Sequence, residues 1–179
     1  MVGRTDIETD QQPILRGATR ADLSEICELE RVEFRELAWP YPMLRQLYDL
    51  HGALWSVAET DRRVGGYALL GIGRTRGWML GLAVHPEARG RGLARALLER
   101  TIRTCRAHRV ESVCLTVRSD NHVAVGLYEK AGFVRIGYED DYFGTGEGRE
   151  VMALPIERPG RPVIDPTEDR WIKRPRPSW

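Results

Sequence analysis

The chain has 179 residues, 42% of them hydrophobic, which suits one α/β-sized domain with tails. Lys and Arg number 27 against 26 Asp and Glu, so a net charge of +1 gives no bulk attraction to nucleic acid or an anionic membrane. Cys27, Cys105 and Cys114 are odd in number and lack C-x-x-C spacing; this argues against a disulfide framework or a zinc site and for a reducing cytoplasm.

Residues 1–12 read as a disordered lead-in, polar and without the apolar stretch of a signal peptide. Ile14 to Arg16 suits a first strand. Leu23, Ile26, Cys27, Leu29, Glu30 and Phe34 then recur at helical spacing, with Asp22 early enough to favour a helix N-terminus. Pro40 and Pro42 in "AWPYP" break that helix, and "MLRQLYDL" predicts a second, short one. Leu54–Glu59, Arg63–Gly73 and Trp78–Val84 read as three strands, the first two joined by a tight turn at Asp61-Arg62. Gly92 to His108 is the strongest helix, followed by a strand over Ser112–Arg118 and a helix over Asn121–Ala131. Gly132 stands where a C-terminal glycine is favoured. Phe133–Tyr142 and Glu150–Leu154 bracket "FGTGEG" as a hairpin.

The order β-α-α-β-β-β-α-β-α-β-β predicts an α/β fold on a mixed sheet, its domain spanning residues 13–156. The remaining residues, 157–179, are Pro- and Arg-rich. They read either as disorder or as a strap packed through Val163, Ile164 and Trp171.

In "LAVHPEARGRGLARALLER", Gly90 and Gly92 flank Arg91 where the strongest helix must begin, with no Ser, Thr, Asp or Asn to cap it. A strand that runs through glycines into a helix can hold phosphate. The first helical N–H groups lack acceptors, the helix dipole favours negative charge, and glycine admits a bulky anion. Arg89 and Arg91 add cations at the rim; the alternative is a solvated turn. The Walker pattern is absent, and Arg95 occupies the third glycine of the Rossmann pattern.

"RGRGLA", Arg89 to Ala94, fits [QR]-x-x-G-x-[GA], and "LTVRSDNHVAVGLYEKAGF" runs from Leu115 to Phe133. Together they resemble the GNAT superfamily of N-acetyltransferases, which bind acetyl-CoA. The likeness covers roughly Ile14 to Pro155. Within the superfamily, "DYFGTGEGREVMALPI" is most similar to ribosomal-protein-alanine and other protein N-terminal acetyltransferases.

The resemblance implies that Leu82, Ala83 and Val84 end a splayed strand whose backbone holds the pantetheine arm. It implies that Gly90, Arg91, Gly92, Leu93, Ala94 and Arg95, with Arg89, wrap the pyrophosphate. Asn121 would lie near the arm, or serve as a plain helix cap. Tyr128 would protonate the leaving thiolate, or be a buried core tyrosine. Glu33, Tyr41 and Tyr142 fall in segments that line the acceptor side, with Glu36, Asp140 and Asp141 as further carboxylates. The family's base positions hold Thr116 and Trp78, neither able to take a proton from an ammonium group at neutral pH.

The expected activity is acetyl transfer from acetyl-CoA, by direct attack, to a protein N-terminus or lysine. The alternatives are transfer to a small amine such as an antibiotic, polyamine or amino acid, and a non-catalytic CoA-binding sensor. The expected partners are the amine acceptor and a possible second copy in a homodimer; nucleic acid, membrane and metal are not expected.

Overall fold

A computed structural model describes residues 13–157. The lead-in expected over 1–12 and the tail expected beyond Glu157 lie outside the described residues. The elements follow the predicted order: β1 (Ile14–Gly17), α1 (Leu23–Phe34), α2 (Tyr41–His51), β2 (Ser56–Thr60), β3 (Arg63–Ile72), β4 (Arg76–Val84), α3 (Leu93–Ala107), β5 (Ser112–Val117), α4 (His122–Lys130), β6 (Val134–Glu139) and β7 (Arg149–Pro155). They build one seven-stranded mixed sheet in the order β1-β2-β3-β4-β5-β7-β6. β4 and β5 run parallel, and the other described neighbours are antiparallel.

Strand alternation divides the core. Val57, Tyr67 and Leu69 pack with Leu23, Ile26, Leu29 and Leu44 of α1 and α2. Their strand neighbours Ala58 and Ala68 pack with Leu93 and Leu97 of α3. Further along, Leu98, Ile102 and Cys105 of α3 share a core with Met79, Leu115, Val117 and Tyr128. α3 lies so close to β4 that a Cβ on Gly77 would stand 2.5 Å from Cys105 Sγ. The three cysteines are free and buried, and burial pushes the Cys105 thiol up to about 12. No helix among the described residues is long and apolar enough to cross a membrane.

Two local details explain the boundaries. Asp61 and Arg62 sit at φ 50° and 62°, the double left-handed geometry that lets a two-residue turn match the twist of β2 and β3. α2 begins at Tyr41, two residues earlier than expected, with Pro42 inside its first turn. Proline breaks a helix interior, but its missing N–H is no loss where no intrahelical acceptor exists.

The entry to α1 is held electrostatically. Asp22, 5% exposed, accepts from Arg16 Nη1 and Nη2 at 2.7 Å each, from Thr19 N at 2.6 Å and from Thr19 Oγ1 at 2.8 Å. The Arg16 guanidinium is the main cause holding this carboxyl below its usual range. A depressed folded-state value contributes stability that is full above the unfolded carboxylate range and is lost as pH falls through the folded one. Asp22→Asn should therefore cost about 2 kcal/mol at pH 7. In urea unfolding at stepped pH, the gap from wild type should narrow as pH falls below the ordinary Asp value of about 3.9.

Candidate active site

The site begins where two strands stop pairing. β4 and β5 are in register from Arg76↔Ser112 to Met79↔Leu115, and no pair continues beyond. Leu80 is the extra residue of a bulge against β3, whose register jumps from Leu69↔Gly81 to Leu70↔Met79. From Leu80 to Val84, β4 keeps β3 on one side and has no strand among the described residues on the other. Backbone groups on such an edge are free to pair with an extended ligand.

At the end of β4 the chain enters α3 through Gly90 at φ 78° and Gly92 at φ 76°. Both values lie in the left-handed region that glycine enters without steric cost. Gly92 is the N-cap, no side chain caps the helix, and the first turn carries no acid. The leading N–H groups are therefore presented to whatever anion lies in front of them.

A groove of about 660 Å³ runs along this junction. It is lined by Leu82, Ala83, Val84, Arg89, Gly90, Gly92, Leu93, Ala94, Arg95, Asn121 and Tyr128, nearly the full set expected for a CoA-type ligand. Arg91 is the exception among them: it lines a separate depression with Asp61, His85 and Glu87. Arg89 is committed as well, its Nη2 donating to both Glu33 oxygens at 2.5 Å and its Nε to Val84 O at 3.3 Å. Arg95 pairs with Glu99 at 2.8 Å. On this loop the backbone, more than free arginine side chains, is what is left to meet an anion.

A second cavity, of about 220 Å³, opens on the other side of the strand gap. Leu82, Asn121, Ala124 and Tyr128 line both cavities, so Tyr128 stands at their junction. It is 6% exposed and packs against Phe133 with ring centroids 5.9 Å apart. Burial pushes its phenol up to about 12, which keeps it protonated at neutral pH. This tyrosine is therefore a core residue that also lines both cavities. Asn121 is equally double. Its side chain caps α4, accepting from Ala124 N at 3.1 Å, while it lines both cavities.

The walls of the second cavity come from the end of α1 and the α1–α2 connection, with Phe34, Leu37 and Trp39, and from the β6–β7 hairpin, with Phe143 and Arg149. Arg118 and Arg149 are its cations. Arg149 is buried, stacked 4.9 Å from the Phe143 ring centre and bonded to Glu147 at 3.1 Å. Glu33 reaches this cavity, paired with Arg89. Thr116 lines it, whereas Trp78 lies in the paired half of β4 and lines neither cavity. Tyr41 is exposed at the start of α2, and Tyr142 stacks edge-on to Phe143 at 4.7 Å; neither lines a cavity. Glu36, Asp140 and Asp141 are exposed and line neither cavity, and Asp141 braces its loop by accepting from Gly146 N at 2.8 Å.

Sequence reasoning missed Arg118, Arg149 and one buried carboxylate here. Glu30, read as part of the apolar face of α1, is 3% exposed and lines the second cavity. Tyr67 Oη donates to its Oε1 and Trp39 N donates to Oε2 at 3.1 Å. Burial, the larger effect, raises this carboxyl above its usual range, and the two hydrogen bonds oppose it. A glutamate on an otherwise apolar helical stripe was the available signal. Among the described residues no group of three His, Cys, Asp or Glu is arranged to hold a metal ion.

Residues 23–133 match the acetyltransferase (GNAT) family. The chain belongs to that family. It is an N-acetyltransferase, similar to an N-alpha-acetyltransferase of Saccharolobus solfataricus, with 28% identity over 155 residues covering 79% of this chain and 92% of the relative. It is 34% identical over 99 residues to the ribosomal protein bS18-alanine N-acetyltransferase of Salmonella typhimurium, covering 54% and 67%. The fold matches the ribosomal-protein-S18-alanine N-acetyltransferase of Escherichia coli at a TM-score of 0.75, 24% identity, and 86% and 99% coverage. It also matches a Salmonella typhimurium acetyltransferase solved with its cofactor acetyl-CoA, at 0.72, 22% identity, and 84% and 97% coverage.

A carboxylate at Gly92 should defeat the anion seat through both its left-handed backbone and its charge. Gly92→Glu should weaken acetyl-CoA binding in calorimetry by about 10²-fold or more, roughly 2.7 kcal/mol. Gly92→Asn, which tolerates this geometry, should stay within about 10-fold of wild type.

Proposed function

We propose that this enzyme transfers the acetyl group of acetyl-CoA to the α-amino group at a protein N-terminus, within a catalytic unit spanning residues 13–156. The observation that carries the reading is the lining of the second cavity. Arg118 is paired with Asp120, Arg149 with Glu147 and Glu33 with Arg89, which leaves Glu30 as a carboxylate with no ion pair among the described residues. One unpaired carboxylate suits a single ammonium group better than a polycation. A peptide main chain with apolar side chains fits the rest, with Phe34, Leu37, Trp39 and Phe143 as apolar contacts. The names of the two curated relatives, an N-alpha-acetyltransferase and a ribosomal-protein-alanine acetyltransferase, support the same acceptor class.

Bound acetyl-CoA supplies an activated thioester carbonyl. The N–H groups leading into α3 seat its phosphates. The open edge of β4 from Leu82 to Val84 orients the arm by backbone hydrogen bonding, and an N–H on that edge stabilises negative charge developing on the carbonyl oxygen. Tyr128 Oη holds a proton at the junction of the cavities, released only as negative charge builds on the departing sulfur. Holding both partners in adjoining cavities supplies much of the rate by proximity. Three free, buried thiols are consistent with a reducing cytoplasm as the working compartment.

The test is release of CoA with peptides bearing free N-terminal Ala, Ser or Met, the same peptides blocked at the N-terminus but carrying a free lysine, and spermidine. Turnover confined to free N-termini supports the reading; turnover confined to lysine or spermidine overturns it. Tyr128→Phe should leave acetyl-CoA affinity unchanged and lower kcat about 10²-fold, measured with whichever acceptor wild type uses best.

A further inference from the structure

The family's usual base positions hold Thr116 and Trp78, which leaves the acceptor ammonium without an evident proton acceptor. Glu30 supplies the missing chemistry. It projects from α1 into the acceptor-side cavity, the same cavity that Tyr128 lines from α4. Its Oε1 lies 3.5 Å from where a Cβ on Gly81 would stand, so the carboxyl rests against β4 beside Leu80, where the strand gap opens. Tyr67 from β3 and the Trp39 backbone from the α1–α2 connection hold its two oxygens in place. Each carboxylate oxygen has a second lone pair, so both bonds leave room for a proton.

The charged groups around it are accounted for. Glu33, on the same helix, is paired with Arg89, and Arg118 and Arg149 line the cavity from the β5 and β7 side, bonded to Asp120 and Glu147. No cation forms an ion pair with Glu30 among the described residues. A carboxylate so placed is a stronger base than an exposed one, and burial does raise its proton affinity.

We propose that Glu30 is the general base of this acetyltransferase, taking the proton of the acceptor ammonium directly or through one water. The proposal rests on the N-acetyltransferase reading and holds for an N-terminal or any other primary amine. One N–H bond of the ammonium breaks and its proton passes to a Glu30 oxygen. The nitrogen keeps that electron pair and forms the new C–N bond as the C–S bond breaks, its electrons staying on sulfur. Tyr128 gives its proton to that sulfur and is restored by the second proton leaving the nitrogen. Glu30 then returns its own proton to solvent.

The decisive measurement is kcat/KM against pH for wild type and Glu30→Gln, with a peptide bearing a free N-terminal alanine or, if wild type ignores it, whichever amine it does acetylate. Without a base only the neutral amine reacts. The variant should therefore be about 10-fold slower at pH 7, where only about a tenth of the amine is neutral, and within about 3-fold of wild type at pH 9.5, well above the amine's own pKa of about 8. A structural role alone predicts the same deficit at both pH values, and that result would overturn the proposal. Tyr67→Phe guards against a misfolded glutamine variant. Losing a bond that favours the charged carboxylate should move the acid limb of the wild-type profile to higher pH while leaving the alkaline plateau in place. An unmoved limb counts against the base. Infrared titration of the carboxyl in the unliganded protein gives a readout independent of turnover. A band titrating above the ordinary carboxylate range, absent from Glu30→Gln, is required. Its absence overturns the proposal whichever acceptor proves to be the substrate.

Discussion

The whole site depends on an interrupted parallel pair. β4 and β5 hold together only up to Met79 and Leu115, and the bulge at Leu80 turns the rest of β4 away. Without that divergence the sheet would be continuous, the edge of β4 would be consumed by its neighbour, and no opening would join the two cavities. The core on either side makes the divergence affordable. Leu115 and Val117 stay packed against Met79, Tyr128 and Phe133, while Ala83 remains in the core under α1 and α2. Each strand thus keeps its apolar contacts after its hydrogen-bonded partner has gone.

Charge is distributed with the same economy. The junction at Gly90 and Gly92 presents backbone, and two arginines beside it are occupied: Arg89 ties the loop to Glu33, and Arg95 pairs along its own helix. Arg89 thereby links the end of α1 to the loop before α3, and with it the wall of one cavity to the wall of the other. In the second cavity, Glu30 is the carboxylate that no ion pair among the described residues neutralises, and Arg118 and Arg149 line the same cavity. The two ionisable groups that the proposed chemistry uses are both held by buried contacts: Glu30 by Tyr67 and Trp39, and Tyr128 by Phe133.

What the sequence disclosed, and what it withheld, follows from the range of each interaction. Gly90 and Gly92 were legible because left-handed backbone is a local demand that few other residues meet. The helices and strands were legible because their apolar spacing is local too, and Gly132 marked the end of α4 at φ 94°. Pro42 misled because its effect reverses between a helix's interior and its first turn. Glu30 was hidden because helical spacing assigns a residue to a face without saying what it meets there; its partner Tyr67 is 37 residues away. The Arg89–Glu33 pair spans 56 residues and was equally invisible, as was the turn of Arg91 away from the groove.

The gap between β4 and β5 has one more effect, on self-association. Unpaired strand edges invite other chains to add to a sheet, and they normally lie at its rim. Here an open edge lies in the middle of seven strands, recessed between cavities that Tyr128 and Asn121 line from α4 and its cap. A single extended chain or arm can enter such a slot, but another sheet is too broad to follow. The true outer rims, β1 and β6, carry Arg16, Arg135 and Glu139. The fold can therefore keep a sticky edge open for its chemistry without offering it as a seed for aggregation.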